Sequence, residues 1–384
     1  PKMNGLEVLK ALKDRKSKVK VLVLTVHNET EYLMKAVDIG INGYVLKDSE
    51  SAELKKAIFM LRKLLRDFNT NRKIEINMEN QSETLGYYYI KFDEDIAKLN
   101  RLIHSFDKNG VPLNTTYIDV EDTKLHYYPI SIGQYGLAIF HSWLKTHSEE
   151  KRAHFLRIAD WFMNNRTDHT ELGCYWLTDV PKPEYHVYQP WKSAFAQSRG
   201  ISMLLRAWQL TEDDTYLKIA TQALIPFTKD ITTGGVSVDR EKGATFYEEY
   251  VAECPTRVLD GHGFCLFGLY DYIRAVPEKK EPNGYALALR LFNEGVEGLT
   301  RQLPLFDMGF WPRFNRCDLP GYPQDDPCTI GYLRLIRQQL LILYRITGKE
   351  ELRLFSEKFH HYDRISNILK MYRHKFTALK KLNR

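Results

Sequence analysis

The chain of 384 residues is 43% hydrophobic and 27% charged, with a formal net charge of +6, which is ordinary for a globular protein. It is long enough for two or three domains, each with a sizeable buried core. It contains no apolar run of the roughly 18 to 20 residues that cross a bilayer, and no signal-peptide pattern, so we do not expect the given residues to span a membrane. We therefore expect a soluble protein that is located in the cytoplasm.

The first 65 residues alternate helical and strand patterns, which predicts α/β architecture. The run VKVLVLTV has the near-continuous β-branched character of a buried parallel strand, and NGYVL is a second, shorter strand. Three segments have the spacing of amphipathic helices, namely LEVLKALKD, EYLMKAVDIG and SAELKKAIFMLRKLL.

These residues resemble the second half of a two-component receiver domain. Thr25, Tyr44 and Lys47 in GYVLKDS stand where that family has its switch hydroxyl, its switch aromatic and its phosphate-pairing lysine, and PKMNG also matches. The family's phosphoacceptor aspartate and acidic pair would precede Pro1. The resemblance therefore implies that residues 1–65 are a partial receiver-like α/β fragment, which cannot work as a phosphoswitch as given.

A polar, asparagine-rich segment without sustained period follows and predicts a linker over residues 66–86. From residue 87 to 363 the pattern changes to helices with apolar residues on more than one face, as in two concentric layers. We expect an α/α toroid or incomplete α/α barrel, so the fold class is mainly α after a truncated α/β fragment. The predicted helices include IAKLNRLIHSF, and strand signals are confined to short pieces such as VPLNTTYIDV and GGVSVD.

Charge is unevenly distributed along the chain. Residues 1–65 carry thirteen Lys or Arg against eight Asp or Glu, and the C-terminal tail 364–384 carries seven against none. The middle is therefore net negative by about six. The basic tail is compatible with an anionic polymer or nucleic acid, but we favour a solvated basic helix and expect no nucleic-acid partner.

The cysteines are expected to be scattered buried thiols. The five are widely spaced and form no CxxC pair: Cys174, Cys254, Cys265, Cys317 and Cys328. A disulfide framework or a metal centre is therefore disfavoured. The sequence predicts neither a bound metal nor a cofactor.

The densest cluster of reactive residue types lies in FYEEYVAECPTRVLDGHGF, which contains Glu248, Glu249, Tyr250 and Asp260. Two adjacent carboxylates flanked by tyrosines are able to supply a general base, a general acid and hydrogen bonds to a sugar. For an arbitrary protein, a solvated acidic turn is the commoner explanation.

Several collinear segments resemble the C-terminal domain of D-glucuronyl C5-epimerases. They are YEEY with the following VLDG and GLYD, YYPISIGQYGL, SAFAQSRGISMLLRAWQLT and LPLFDMGFW, and they cover roughly residues 85–365. The resemblance implies a metal-independent and cofactor-free enzyme that interconverts D-glucuronate and L-iduronate residues within a polysaccharide. Such an enzyme removes the C5 proton of a uronate and returns a proton to the opposite face. It needs a proton-transfer group on each face and cations or donors on the uronate carboxylate.

By position, the resemblance implies that Glu249, Tyr250 and Tyr332 are catalytic, with Glu248 binding substrate beside them. Leu333 and Ile336 stand where histidines usually follow the last tyrosine, so a structural role for Tyr332 is equally compatible. The family's remaining catalytic tyrosine is replaced by Phe314, whose ring cannot transfer a proton. Another group, such as Tyr322 or a water, would have to substitute, or the protein epimerises poorly or not at all.

Further residues are candidates for binding a uronate-containing polysaccharide. Tyr128 and Gln134 are able to hydrogen-bond sugar hydroxyls, and Trp191 is able to stack on a sugar ring. Phe314 is also expected to contact the substrate, and Arg313 and Arg316 beside it are suited to pair with a uronate carboxylate. Structural roles compete with each of these: a packed helix start, a half-buried tryptophan and surface arginines. His262 has no ligand spacing and is expected to be structural.

Two alternatives to the epimerase stay open. A polysaccharide lyase shares the C5 proton abstraction but then expels the C4 oxygen, and residue spacing does not separate the two outcomes. A non-catalytic glycan-binding homologue is favoured by Phe314 and by the missing histidines after Tyr332. The sequence leaves open whether the chain forms a homodimer.

Overall fold

The computed structural model forms two compact units that divide between Arg72 and Lys73. It describes residues 5–15, 21–25, 39–41, 43–46, 74–77, 79, 81–98, 102–116 and 124–382. Within these residues, no helix is both long and apolar enough to cross a membrane.

The first unit contains helix α1 (Gly5–Asp14) and two strands, β1 (Leu22–Thr25) and β2 (Gly43–Leu46). The strands are parallel, with Leu22 opposite Gly43, as expected for a fragment of α/β architecture. Leu9 on α1 is buried. Lys47, the predicted helix over residues 51–65 and most of the one over residues 31–40 lie outside the described residues.

The second unit is mainly helical, which confirms the predicted fold class. Its helices are α2 (Glu94–Lys98), α3 (Pro129–Thr146), α4 (Glu149–Asn164), α5 (Ala194–Thr211), α6 (Asp214–Gln222), α7 (Leu259–Ala275), α8 (Pro282–Phe306), α9 (Ile330–Thr347), α10 (Glu350–Tyr362) and α11 (Ile365–Lys381). The strands form antiparallel pairs: β3 (Ile103–Phe106) with β4 (Pro112–Asn114), β5 (Thr167–His169) with β6 (Gly173–Tyr175), and β7 (Ser237–Val238) with β8 (Phe246–Tyr247).

The helices are arranged in two layers. In the inner layer α3 packs on α5, α5 on α7, and α7 on α9. In the outer layer α4, α6, α8 and α10 each pack on the inner helix that precedes them in the chain. Every residue of α5 from Ala194 to Ala207 is buried, since this helix is enclosed by neighbours on several sides. This order of packing is that of an incomplete α/α toroid.

Capping and close packing fix where the inner helices lie. Ser193 caps α5 by accepting a hydrogen bond from the backbone N–H of Ala196. Gly268 on α7 faces Ser198 on α5, and a Cβ at this glycine would lie 2.7 Å from the Ser198 Cα. The two helix backbones are therefore close enough that only glycine fits between them.

One predicted helix is wrong in its second half. The segment IAKLNRLIHSF begins within α2, but its last four residues form strand β3. Half-buried Ile103 and Ser105 alternate with exposed neighbours, which is the period of a strand. Asp107 then accepts hydrogen bonds from the N–H groups of Asn109 and Val111, and this turn returns the chain into β4.

Candidate active site

The cluster FYEEY lies where β8 leaves the sheet and the chain turns into α7. Tyr247, at the end of β8, is held by hydrogen bonds from its N–H to His262 Nδ1 and from its hydroxyl to the Leu291 carbonyl. His262 Nε2 lies 3.0 Å from the Gly295 carbonyl, so both nitrogens of this imidazole are occupied within the core. The expected structural role of His262 agrees with these contacts.

Glu248 is fully buried and its carboxylate is bound by its own loop. It accepts hydrogen bonds from the N–H groups of Thr256 and Arg257 at 2.9 to 3.1 Å, and from the Thr256 hydroxyl. Burial raises the pKa of Glu248 to about 7. Because its oxygens already serve these donors, Glu248 closes the loop in this structure, whereas the sequence predicted that it binds substrate.

Glu249 points the other way and packs against the start of α7. A Cβ on Gly261 would lie 2.5 Å from its Oε2 atom, so the carboxyl group touches the helix backbone there. Burial raises the pKa of Glu249 to about 7, although a hydrogen bond from Tyr250 and the charge of Lys182 favour its ionised form. A buried carboxyl group with such a pKa is able to take up a proton near neutral pH.

Asp260 supplies a second buried carboxyl group beside Glu249. Among the described residues, its Oδ1 atom has no hydrogen-bond partner. Burial, and next the negative charge of Glu249, raise the pKa of Asp260 well above its usual value. Two carboxyl groups so close together cannot both ionise easily, which favours a shared proton between them.

Aromatic rings form a wall beside these carboxyl groups. The Tyr250 ring lies 5.3 Å from that of Tyr185 and 5.2 Å from that of Trp191, between ring centroids. Trp191 in turn lies 6.2 Å from Tyr128. The structure thus brings together Tyr128, Trp191 and Tyr250, which the sequence predicted separately. Gln134 is half-buried on α3, two turns after Tyr128.

A lysine that the sequence analysis missed lies in this wall. Lys182 Nζ is 4.2 Å from the centre of the Tyr250 ring and 3.1 Å from Glu184 Oε1. Both charged side chains are only 5% exposed. A buried cation is therefore present beside the pair Glu249 and Tyr250.

Two further tyrosines extend the wall. Asn315 donates one hydrogen bond to the Tyr185 hydroxyl at 2.9 Å and another to the Tyr322 hydroxyl at 3.0 Å, and the two rings stack. Burial raises the pKa of both tyrosines, so both hydroxyls hold their protons. Tyr322, named from the sequence as a substitute for the missing tyrosine at Phe314, is linked to Tyr250 through Tyr185.

Phe314 and Tyr332 lie together, with ring centroids 5.4 Å apart. Tyr332 is 39% exposed at the start of α9, and Lys375 Nζ lies 5.6 Å from the centre of the Phe314 ring. The structure therefore groups Phe314 with Tyr332 and Lys375.

Arg313 and Arg316 are bound by acceptors of the protein itself. Arg313 donates to the carbonyls of Gln324 and Leu305, and to Asp325. Arg316 donates to Gln302 and packs beside Phe306. These contacts hold both arginines near α8 and Asp325, whereas Lys182, which is itself paired with Glu184, lies over the Tyr250 ring.

A surface cavity of about 580 Å³ lies elsewhere, between α7, α8 and the end of α9. Its lining includes one carboxylate, Glu297, which is paired with Arg301 and Lys349. The residues that line it include none of the FYEEY cluster. Within the described part of the chain, no group of three or more His, Cys, Asp and Glu residues is arranged to hold a metal ion.

Comparison with known proteins finds a family model that matches part of each unit. Residues 174–361 match the family described as D-glucuronyl C5-epimerase C-terminus, and residues 1–59 match the response regulator receiver domain. Both predicted resemblances are thus confirmed. The epimerase match begins after the predicted start near residue 85 and includes Glu249, Tyr250, Lys182 and Tyr322.

Two relatives match the helical unit. A D-glucuronyl C5-epimerase of Caenorhabditis elegans is 33% identical over 170 residues, which are 43% of this chain and 27% of that protein. An uncharacterized protein of Methanocaldococcus jannaschii is 29% identical over 178 residues, which are 46% of this chain and 53% of that protein. The chain thus spans about a quarter and about half of these two relatives' length.

A relative of the first unit and a solved structure complete the comparison. The nitrate/nitrite response regulator protein NarL of Escherichia coli is 40% identical over 58 residues, which are 15% of this chain and 27% of that protein. A GH76 α-mannanase of Bacteroides thetaiotaomicron has a TM-score of 0.42 and 10% identity, covering 69% of this chain and 64% of that one. The likeness to the mannanase is too distant to bear on chemistry.

Proposed function

We propose that the helical unit is a uronyl C5-epimerase that interconverts D-glucuronate and L-iduronate residues of a polysaccharide. One observation supports this proposal above all: Glu249 is a buried carboxyl group with a pKa raised to about 7, beside a tyrosine hydroxyl and a buried lysine. A base of this kind is matched to removing a carbon-bound proton at neutral pH.

In the proposed reaction the Glu249 carboxylate takes the C5 proton, and the electron pair of the C–H bond moves into the uronate carboxyl group as an enolate. Lys182 and the Tyr250 hydroxyl lie where a cation and a donor would stabilise this added charge. Return of a proton to the opposite face of C5 then completes the inversion.

The donor on the opposite face has to replace the tyrosine that is missing at Phe314. We propose Tyr322, whose hydroxyl shares the donor Asn315 with the Tyr185 hydroxyl, while the Tyr185 ring contacts that of Tyr250. A tyrosine that gives its proton to C5 becomes a phenolate, which regains a proton from solvent, and Glu249 releases the proton taken from C5 to solvent before the next turnover. Solvent hydrogen therefore enters the C5 position.

Incubation in deuterated water with uronate-containing polysaccharides tests the proposal. We expect deuterium at C5 together with new iduronate or glucuronate signals in the NMR spectrum. An unsaturated product that absorbs ultraviolet light would instead identify a lyase. Binding without any exchange at C5 would contradict catalysis and favour a glycan-binding homologue, which is the role that Phe314 favours.

A further inference from the structure

Helix α11 carries a second apolar face in addition to the one that packs on the core. Ile368, Met371 and Ala378 are buried against the rest of the helical unit. Three large side chains elsewhere on the helix are exposed: Ile365 by 70%, Leu369 by 63% and Phe376 by 52%. An apolar surface of this kind, fixed on an ordered helix, marks an interaction site.

The exposed apolar residues follow the spacing of a coiled-coil seam. With the half-buried Tyr372 and Leu379 between and after them, they are separated by four, three, four and three residues: Ile365, Leu369, Tyr372, Phe376 and Leu379. At about 100° per residue, all of them fall within about 80° of the helix circumference. We call this set the outer seam.

The narrow width of the outer seam favours another helix as its partner. A helix that lies in a membrane surface needs a broad apolar sector, whereas a seam of two positions in seven fits the knobs-into-holes contact of two helices. The core side of α11 is already occupied by the body of the helical unit. A single helix laid along the outer seam would cover its exposed side chains.

Charge next to the outer seam specifies the partner further. Arg373 and Lys380 directly follow seam residues, at positions that flank a bound helix in a coiled coil. Residues 364–384 hold seven Lys or Arg and no Asp or Glu. A second copy of α11 would therefore place like charges opposite each other, whereas a helix with acidic flanks would pair with them.

We propose that the outer seam binds an amphipathic helix of another protein, whose apolar residues repeat at three and four and whose flanking positions are Asp or Glu. The interaction is independent of the proposed epimerase chemistry, because the outer seam contains none of the residues around Glu249.

The test uses the full chain and a fluorescein-labelled synthetic helix with Leu at the seam positions and Glu at the flanking positions. We expect saturable binding by fluorescence anisotropy, and at least about tenfold weaker binding of a matched helix in which Lys replaces each Glu. The variants Leu369→Glu and Phe376→Glu should each weaken binding of the acidic helix at least about tenfold. Leu289→Glu, at a partly exposed leucine on α8, is the matched control and should leave it unchanged.

These substitutions are at exposed positions, and unchanged thermal unfolding of each variant checks that the fold is intact. Absence of binding, equal binding of the two helices, or binding that survives Leu369→Glu would overturn the proposal. Vesicles of phosphatidylcholine and phosphatidylglycerol serve as the competing ligand: Leu369-dependent binding to them alone would assign the outer seam to a lipid surface. A Leu369-dependent dimer of the chain itself, measured by sedimentation, would assign it to a second copy.

Discussion

Glu248 and Glu249 are neighbours in the sequence, but their carboxyl groups have different surroundings. Glu248 accepts hydrogen bonds from the loop at Thr256 and Arg257, whereas Glu249 meets Tyr250 and the start of α7. Glu248 directly follows strand β8 and the chain bends at Glu249, so the two adjacent carboxyl groups face different partners.

The pair supplies a matched set of variants. We expect Glu249→Gln to lower the rate of C5 exchange by about 10² to 10⁴, since it removes the proposed base while keeping the shape of the side chain. Glu248→Gln should instead lower the free energy of unfolding by roughly 1 to 3 kcal/mol, because it disrupts buried hydrogen bonds. Exchange rates by NMR and denaturant unfolding measure both effects. A Glu249→Gln variant with full exchange activity would exclude this residue as the base.

Substitutions at Tyr322 and Phe314 test the proposed donor of the second proton. If Tyr322 is the proton donor for the second face, Tyr322→Phe should slow epimerisation by about 10² or more while substrate binding is retained. Phe314→Tyr restores the hydroxyl that the epimerase family has at this position, and we expect it to leave the rate unchanged or to raise it. Epimerisation rates and calorimetric binding of the polysaccharide distinguish the outcomes, and a fully active Tyr322→Phe variant would remove Tyr322 from the proposed mechanism.

The raised pKa values also predict how activity depends on pH. A base with a pKa of about 7 is competent only when it is ionised, so the rate of C5 exchange should rise as pH increases through about 7. A profile that is flat between pH 6 and 8, or one that falls, would not be compatible with Glu249 as the base.

The free energy of unfolding should change with pH in the direction opposite to the rate of C5 exchange. Because the pKa of Glu248 and of Glu249 rises from 4.5 to about 7 on folding, the folded state binds more protons between these values. The free energy of unfolding should therefore fall as pH rises from about 4.5 to 7, by up to about 1.4 kcal/mol per pH unit for each group. Glu249→Gln should reduce this slope, as measured by urea unfolding at a series of pH values.

At the scale of the elements, the contact between α5 and α7 carries much of the site, because α5 follows Trp191 and α7 begins at Leu259, next to Asp260. This contact depends on Gly268, where an added Cβ would meet Ser198.

We expect Gly268→Ala to destabilise the helical unit by about 1 to 3 kcal/mol through overpacking. Gly331→Ala on α9, where an added Cβ has only one neighbour, at 4.0 Å, should be neutral or stabilising by up to about 1 kcal/mol. Equal effects of the two substitutions in denaturant unfolding would contradict the close approach.

The helical spacing of apolar residues predicted most elements of the helical unit, because long amphipathic segments such as α8 and α9 are buried on the faces that their apolar residues mark. The same spacing predicted a helix where strand β3 forms, because an apolar run this short is compatible with either a helix or a strand. The FYEEY cluster could also be singled out as a candidate site, since its residues are adjacent in the sequence. The presence of Lys182, Tyr185 and Asn315 near this site could not be predicted. These residues are far from Tyr250 in sequence, and only the layered packing brings them close to its ring.

At the scale of the whole molecule, the two units are distinct in sequence and in packing. The apolar core of the helical unit is built from residues between Ile74 and Leu382, all of them beyond the receiver-like unit. We therefore expect a chain that lacks residues 1–72 to fold, with an unfolding midpoint close to that of the helical unit in the full chain. Its rate of C5 exchange should also be unchanged, since every residue of the proposed site, from Tyr128 onward, lies beyond residue 72. Calorimetric unfolding and NMR exchange of the two chains make the comparison, and a truncated chain that is folded but altered in rate would mean that the receiver-like unit regulates the enzyme.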